Sequence, residues 1–173
     1  MARRIPFEET LTLEDILSKD LELLFVGYNP SPYAVEKGHY YARKSNRFWE
    51  DLHEVGLVPR VLRGPNEDLE LLEYGIGLVD LIKRPTPNID DLSKEDFRQG
   101  LKRIDGILRS YHPKIVCFNG LGLLKLYRRS GNPPETTRVF GLPSSSPRVI
   151  GMKQQRLAAL REIKQQIDLL RGN

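Results

Sequence analysis

The chain has 173 residues, 39% hydrophobic and 29% charged, which suits one globular domain over 1–173 with a core that needs no disulfide or structural metal. No apolar run approaches the ~20 residues of a bilayer span, and Met1-Ala2-Arg3-Arg4-Ile5-Pro6 leads into acidic and polar residues rather than a signal-peptide core. A single cysteine, Cys117, excludes an intramolecular disulfide and a multi-cysteine zinc site and fits a reducing, cytoplasmic setting, while a net charge of +4 leans only slightly toward a polyanionic partner.

In chain order, Thr12-Leu13-Glu14-Asp15 predicts a helix start, with Thr12 as the cap and Asp15 in the first turn. Residues 21–26 (LELLFV) form an apolar run ending at Gly27, the pattern of a buried parallel strand. Residues 46–55 carry Phe48, Trp49, Leu52 and Val55 at helical spacing. Residues 76–82, bounded by Gly75 and Pro85, predict a second strand. Ser93 opens a helix to about Tyr111, with Phe97, Leu101, Ile104 and Leu108 on one face. Pro113 stops it before a third strand over 114–118 (KIVCF). A helix over 121–129 and a fourth strand over 138–142 follow. The last helix, about 153–170, aligns Leu157, Leu160, Ile163, Ile167 and Leu170, with Arg156, Arg161, Lys164 and Arg171 on its other face.

Alternating strands and helices imply an α/β layer fold with a mostly parallel sheet of four strands, whose ligands sit beyond the carboxyl ends of the strands. Four polar loops follow those strands: 27–31, 83–87, 119–120 and 143–148. No GxxxxGK[ST], GxGxxG or GxSxG is present, and His39, His53 and His112 are not paired at metal-ligand spacing, so neither a metal nor another cofactor is expected. Cys117 sits inside an apolar strand and reads as core. The loops offer amides, hydroxyls and glycine, groups that hold a polar ring or a water rather than form covalent bonds.

Gly27-Tyr28-Asn29-Pro30-Ser31, Lys37-Gly38-His39-Tyr40-Tyr41 and Asn46-Arg47-Phe48-Trp49 resemble the opening motifs of the mismatch-specific uracil and thymine DNA glycosylases, family 2 of the uracil-DNA glycosylase superfamily. The likeness continues through Tyr74-Gly75-Ile76-Gly77, Arg84 to Pro87, Phe97-Arg98-Gln99-Gly100 and Phe118-Asn119-Gly120. It ends in Leu142-Pro143-Ser144-Ser145-Ser146-Pro147-Arg148, similar to the family's P-S-S-S-x-R loop. The resemblance implies a three-layer α/β/α fold and a monofunctional glycosylase that flips uracil, thymine or another modified pyrimidine, opposite guanine, out of double-stranded DNA. Such an enzyme leaves an abasic site, acts as a monomer without a cofactor and works in the cytoplasm, at the nucleoid in a prokaryote.

By the same resemblance, Asn29 holds the water that attacks C1′, Tyr41 stacks on the flipped base, and Gly27, Tyr28, Ser31, Asp80, Thr86 and Asn119 complete the pocket. Ser144, Ser145, Ser146, Pro147 and Arg148 form the loop that fills the gap in the duplex, with serine hydroxyls and backbone N–H groups offered to phosphates and the orphan guanine. His39 is assigned a structural or phosphate-contacting place. Read alone, each residue has a plainer role: Asn29 as a turn cap before Pro30, Tyr41 as a packed tyrosine, Thr86 as a turn residue, 143–148 as a surface loop. Three positions depart from the family pattern. Ser31 stands in place of glycine and narrows the pocket or adds a hydroxyl. Asp80 stands in place of asparagine or lysine, accepting from a base N–H but repelling a departing base anion. Pro147 stands at a wedge position. A DNA-binding module without turnover, or an unrelated α/β protein that binds a small nucleotide, are the alternative readings.

Overall fold

The computed structural model describes residues 4–8, 10–64 and 66–172. The first three residues of the opening hexapeptide thus lie outside the described residues. β1 (Arg4–Phe7) and β2 (Thr10–Leu13) form an antiparallel hairpin with Arg4 opposite Leu13. This hairpin replaces the helix expected from Thr12. The Thr12 hydroxyl donates to the Lys83 carbonyl rather than capping a turn, and Ile16 exchanges backbone hydrogen bonds of 2.8 and 3.0 Å with Leu78. Tertiary partners some seventy residues downstream outweigh a local capping signal worth about 1 kcal/mol.

The centre is dictated by three runs buried along their whole length: β3 (Leu23–Gly27), β4 (Ile76–Asp80) and β5 (Ile115–Asn119). With the more exposed β6 (Arg138–Leu142) they build a parallel sheet in the order β4-β3-β5-β6. Strands buried on both faces need a layer on each side, and the period of two divides their side chains between the layers. Leu23 and Phe25 of β3 share a cluster with Trp49 and Leu52 of α2 (Phe48–Glu54) and with Leu157, Leu160 and Ile163 of α5 (Lys153–Gly172). Leu24 and Val26 face the other way, onto Ile104 and Leu108 of α3 (Lys94–Tyr111) and Leu123 and Tyr127 of α4 (Leu121–Ser130). Each such side chain contributes about 1.5–3 kcal/mol by leaving water. Among the described residues no helix is long and apolar enough to cross a membrane.

Ser93 caps α3 as expected, in a capping box with Asp96, and His112 in the left-handed conformation ends the helix before Pro113. One helix escaped the periodicity: α1 (Pro32–Lys37), capped by the Ser31 hydroxyl and closed by left-handed Gly38. Arg156 is corrected. It is buried and ion-paired to buried Asp51 of α2, not on an outer charged face. Its spacing of four from Leu160 places it on the core stripe, where a charge persists only with a partner.

The chain leaves β3 toward β4 on one side and leaves β5 toward β6 on the other. The neighbouring carboxyl ends of β3 and β5 therefore flank a topological switch point, where a crevice opens between diverging loops.

Candidate active site

A cavity of about 780 Å³ occupies that crevice, lined by residues of all four loops that follow the sheet strands. Gly27, Tyr28, Asn29, Ser31, Tyr41, Asp80, Thr86, Asn119, Ser144, Ser146, Pro147 and Arg148 all border it, bringing together most of the residues singled out from the sequence. The loops after β3 and β4 are zipped to each other. Leu81 N–H donates to Gly27 O (2.8 Å), Ile82 N–H to Tyr28 O (2.9 Å) and Thr86 N–H to Pro30 O (3.2 Å).

Asn29 is fixed in one orientation by this zipper. Its Nδ2 donates to the Arg84 carbonyl (2.9 Å) and to Thr86 Oγ1 (2.8 Å), and the Thr86 hydroxyl donates onward to the Asn88 carbonyl (2.6 Å). A carbonyl oxygen only accepts, so the amide edge facing Arg84 must be the NH2 group. Both Asn29 N–H bonds are thereby consumed, and Oδ1 is left as an acceptor with no partner among the described residues. The Ser31 hydroxyl, by contrast, is engaged as the N-cap of α1, accepting from Ala34 N–H at 3.1 Å, although the residue still borders the cavity.

Gly27, Tyr41 and Asp80 meet at one point. A Cβ on Gly27 would stand 2.6 Å from Asp80 Oδ1 and 2.7 Å from the Tyr41 hydroxyl oxygen, so only glycine fits there. Tyr41 holds a left-handed backbone (φ 52), an uncommon state for a bulky residue and a local strain of about 1–3 kcal/mol. That conformation lays its ring on Phe48, centroids 4.3 Å apart, and buries its hydroxyl beside the Asn119 amide, without a well-aligned hydrogen bond among the described residues. Burial, reinforced by the nearby Asp80 carboxylate, pushes the Tyr41 phenol well above its ordinary range. Burial also pushes Asp80 up, to about 7, against the pull of Lys83 and Arg103 and with a further push from Asp15.

Asn119 does different work from Asn29. Its Nδ2 donates to Ser145 Oγ (3.0 Å) and its Oδ1 accepts from Ser145 N–H (3.1 Å), a reciprocal clasp between the end of β5 and the 143–148 loop. Ser145 is buried, and its carbonyl accepts from Arg47 N–H at 3.1 Å, so it anchors the loop instead of facing outward. Ser144 Oγ accepts from Ser146 N–H (3.1 Å), Ser146 Oγ from Arg148 N–H (3.3 Å) and Ser146 O from Val149 N–H (3.1 Å). Of the serine N–H groups expected from sequence to meet phosphates, those of Ser145 and Ser146 are thus used within the protein. The hydroxyl hydrogens of Ser144 and Ser146 remain available to donate, as does the Arg148 guanidinium.

Beyond this pinned base the loop is exposed from Pro147 onward, and the Arg148 guanidinium forms no ion pair among the described residues. Val149, which borders the cavity, and Ile150, which is 88% exposed, follow as two apolar residues that sequence reasoning passed over. Their signal was present: consecutive aliphatic residues directly after an arginine, outside any strand or helix. Arg43 also borders the cavity, its guanidinium 4.6 Å from the centre of the Tyr33 ring, and Asp80 is the single carboxylate among the described lining residues. His39 stands apart. It is buried, stacked on Trp49 at 4.8 Å, with Nδ1 2.5 Å from the fully buried Asp68, and it does not border the cavity. Asp68 lies in a short 3-10 helix (Glu67–Tyr74) that no sequence pattern revealed.

Comparison with known proteins agrees with this geometry. The sequence pattern of the Uracil DNA glycosylase superfamily matches residues 14–168. The fold is similar to the solution NMR structure of a candidate uracil DNA glycosylase from Methanosarcina acetivorans, with a TM-score of 0.59 and 23% identity over 94% of this chain and 98% of that one.

Proposed function

This chain belongs to the uracil DNA glycosylase superfamily and is a DNA glycosylase, and we propose that it flips uracil out of a G·U mismatch and hydrolyses its glycosidic bond without cutting the strand. The observation that carries this reading is the locked amide of Asn29, whose free Oδ1 can only accept. A water that donates to that oxygen is held with a lone pair free for C1′, while a neutral amide is too weak a base to deprotonate it. The C1′–N bond therefore breaks largely before the water adds, giving an oxocarbenium-like sugar and a base anion. Positioning and electrostatics supply the acceleration.

Tyr41 forms one wall against which the flipped ring stacks, worth about 1–3 kcal/mol per base in single-strand complexes. The exposed tip from Pro147 to Ile150 fills the vacated place in the duplex, with Arg148 reaching phosphate and Ile150 presenting an apolar face to the neighbouring bases. Thymine or another modified pyrimidine opposite guanine is accepted where its substituents fit the same pocket. Among the described residues that line the cavity none is a lysine that could form a Schiff base, which supports a monofunctional reaction.

The test is base release from duplex DNA with a single G·U pair. Uracil is released and breaks appear only after alkali, while Asn29→Ala binds the duplex but loses at least ~100-fold in rate. Breaks without alkali, or an Asn29→Ala variant as fast as the parent, would refute the mechanism.

A further inference from the structure

We propose that Asp80 acts in this pocket as a neutral carboxylic acid, donating its O–H to the base oxygen on which negative charge collects as the C1′–N bond breaks. This deepens the glycosylase reading above and rests on it. As a carboxylate at the same place, Asp80 would repel the leaving base; as an acid it becomes the group that stabilises it.

The placement of its neighbours carries the inference. Asp80 ends β4 directly opposite Gly27 and is 5% exposed, yet its side chain borders the cavity. Two cations lie close, and both are committed elsewhere. Lys83 Nζ binds Asp15 Oδ1 (3.0 Å) and the Leu13 carbonyl (2.5 Å). Arg103 Nη1 binds Asp15 Oδ2 (2.7 Å), and its Nη2 donates to the backbone carbonyl of Asp80, not to the carboxyl group. On the pocket side the nearest titratable group is the Tyr41 phenol, which is neutral and shares the space above Gly27 with Asp80 Oδ1. Asp15, Lys83 and Arg103 together leave one net positive charge, but neither cation pairs with the Asp80 carboxyl, and its burial outweighs their pull toward the ionised form.

The reaction balances without further reagents. The C1′–N electron pair leaves with the base, whose anion is spread over the ring nitrogen and the carbonyl oxygens, and Asp80 keeps its proton while donating a hydrogen bond to one of those oxygens. The water held by Asn29 bonds to C1′ and releases its proton to solvent, and the freed base takes a proton from solvent. Removing a single preorganised donor at a developing charge costs about 100- to 1000-fold, so a loss of ~100-fold or more is expected without Asp80.

The experiment compares the parent, Asp80→Asn and Asp80→Ala in single-turnover uracil release from about pH 5 to about pH 9, with folding checked by circular dichroism. The active form is protonated, so the parent's rate is level below pH about 7 and falls ~tenfold per pH unit above it. Asp80→Asn retains an N–H donor at every pH, stays active and loses that fall. Asp80→Ala is slow throughout. Infrared difference spectra between the parent and Asp80→Asn, without DNA, show a protonated-carboxyl band at pH about 6 that titrates away on raising the pH. A rate that rises with pH, a fall that persists in Asp80→Asn, or no protonated-carboxyl band overturns the proposal. A parent that shows the band but releases no uracil defeats the glycosylase reading instead, and the role of Asp80 with it.

Discussion

Thr86→Val isolates the device that orients Asn29. Valine matches threonine in shape but lacks the hydroxyl that accepts from Asn29 Nδ2 at 2.8 Å and donates to Asn88 O at 2.6 Å. Asn88 is exposed, so its carbonyl regains water at small cost. The Asn29 N–H is deeper and keeps only the 2.9 Å bond to Arg84 O. Turning the amide over then breaks one anchoring bond instead of two. At a net 0.5–1.5 kcal/mol for each hydrogen bond, the productive orientation loses about 1 kcal/mol of its margin. The ground state keeps most of its population in the productive orientation, but the transition state, which needs Oδ1 held on the water, bears the loss. Uracil release in single turnover should therefore slow by up to about fivefold, with duplex affinity unchanged within about twofold. The melting temperature should drop by about 2–4 °C. Thr86→Ser, which restores the hydroxyl, should return most of the rate. An unchanged rate in Thr86→Val, or a serine variant as slow as the valine one, would refute the idea that this chain of hydrogen bonds aims Asn29.

Other predictions address the loop and the core. Arg148→Ala removes the phosphate contact proposed for this residue and should lower the slope of log affinity against log salt by about one, measured by fluorescence anisotropy on duplex DNA. Ile150→Ser should slow release from a paired uracil several-fold more than from single-stranded DNA, because only the duplex leaves a gap to fill; equal slowing on both would assign Ile150 another role. Arg156→Ala leaves Asp51 buried and unpaired and should cost about 3–5 kcal/mol in denaturant unfolding, whereas Arg161→Ala on the exposed face should cost under ~0.5 kcal/mol.

The elements legible in the sequence are those whose signal is contained in their own residues. β3, β4 and β5 are unbroken apolar runs, and α3 and α5 carry long stripes, so burial and periodicity locate them directly. The β1–β2 hairpin was misread because the partner of Thr12 lies at Lys83, far outside any local window. α1 is too short at 6 residues to show a period, though Ser31-Pro32 carried a cap signal. At the site, most residues marked by motif likeness border the cavity, but the motifs could not say which polar atoms were already spent. Ser31 and Ser145 turn inward to hold structure, His39 is sequestered against Asp68 and Trp49, and Ile150 was unmarked by any motif.

The two asparagines make that difference plain. Asn29 and Asn119 stand at the ends of adjacent parallel strands, are chemically identical, and were both assigned to the pocket. Asn119 uses both ends of its amide on Ser145, so it is a clasp whose effect on DNA passes through the loop it holds. Asn29 uses only its nitrogen, and uses it fully, which leaves one oxygen of fixed direction. An acceptor that cannot turn into a donor is what a water needs if its lone pair is to face carbon. A similar accounting applies to Asp80: its neighbouring cations bond Asp15 and backbone carbonyls rather than its carboxyl, and burial then outweighs their pull and favours the acid. In the proposed reaction the water and the leaving base thus meet complementary atoms, an acceptor on one side and a donor on the other. In each case the atom is available because neighbouring bonds are already taken.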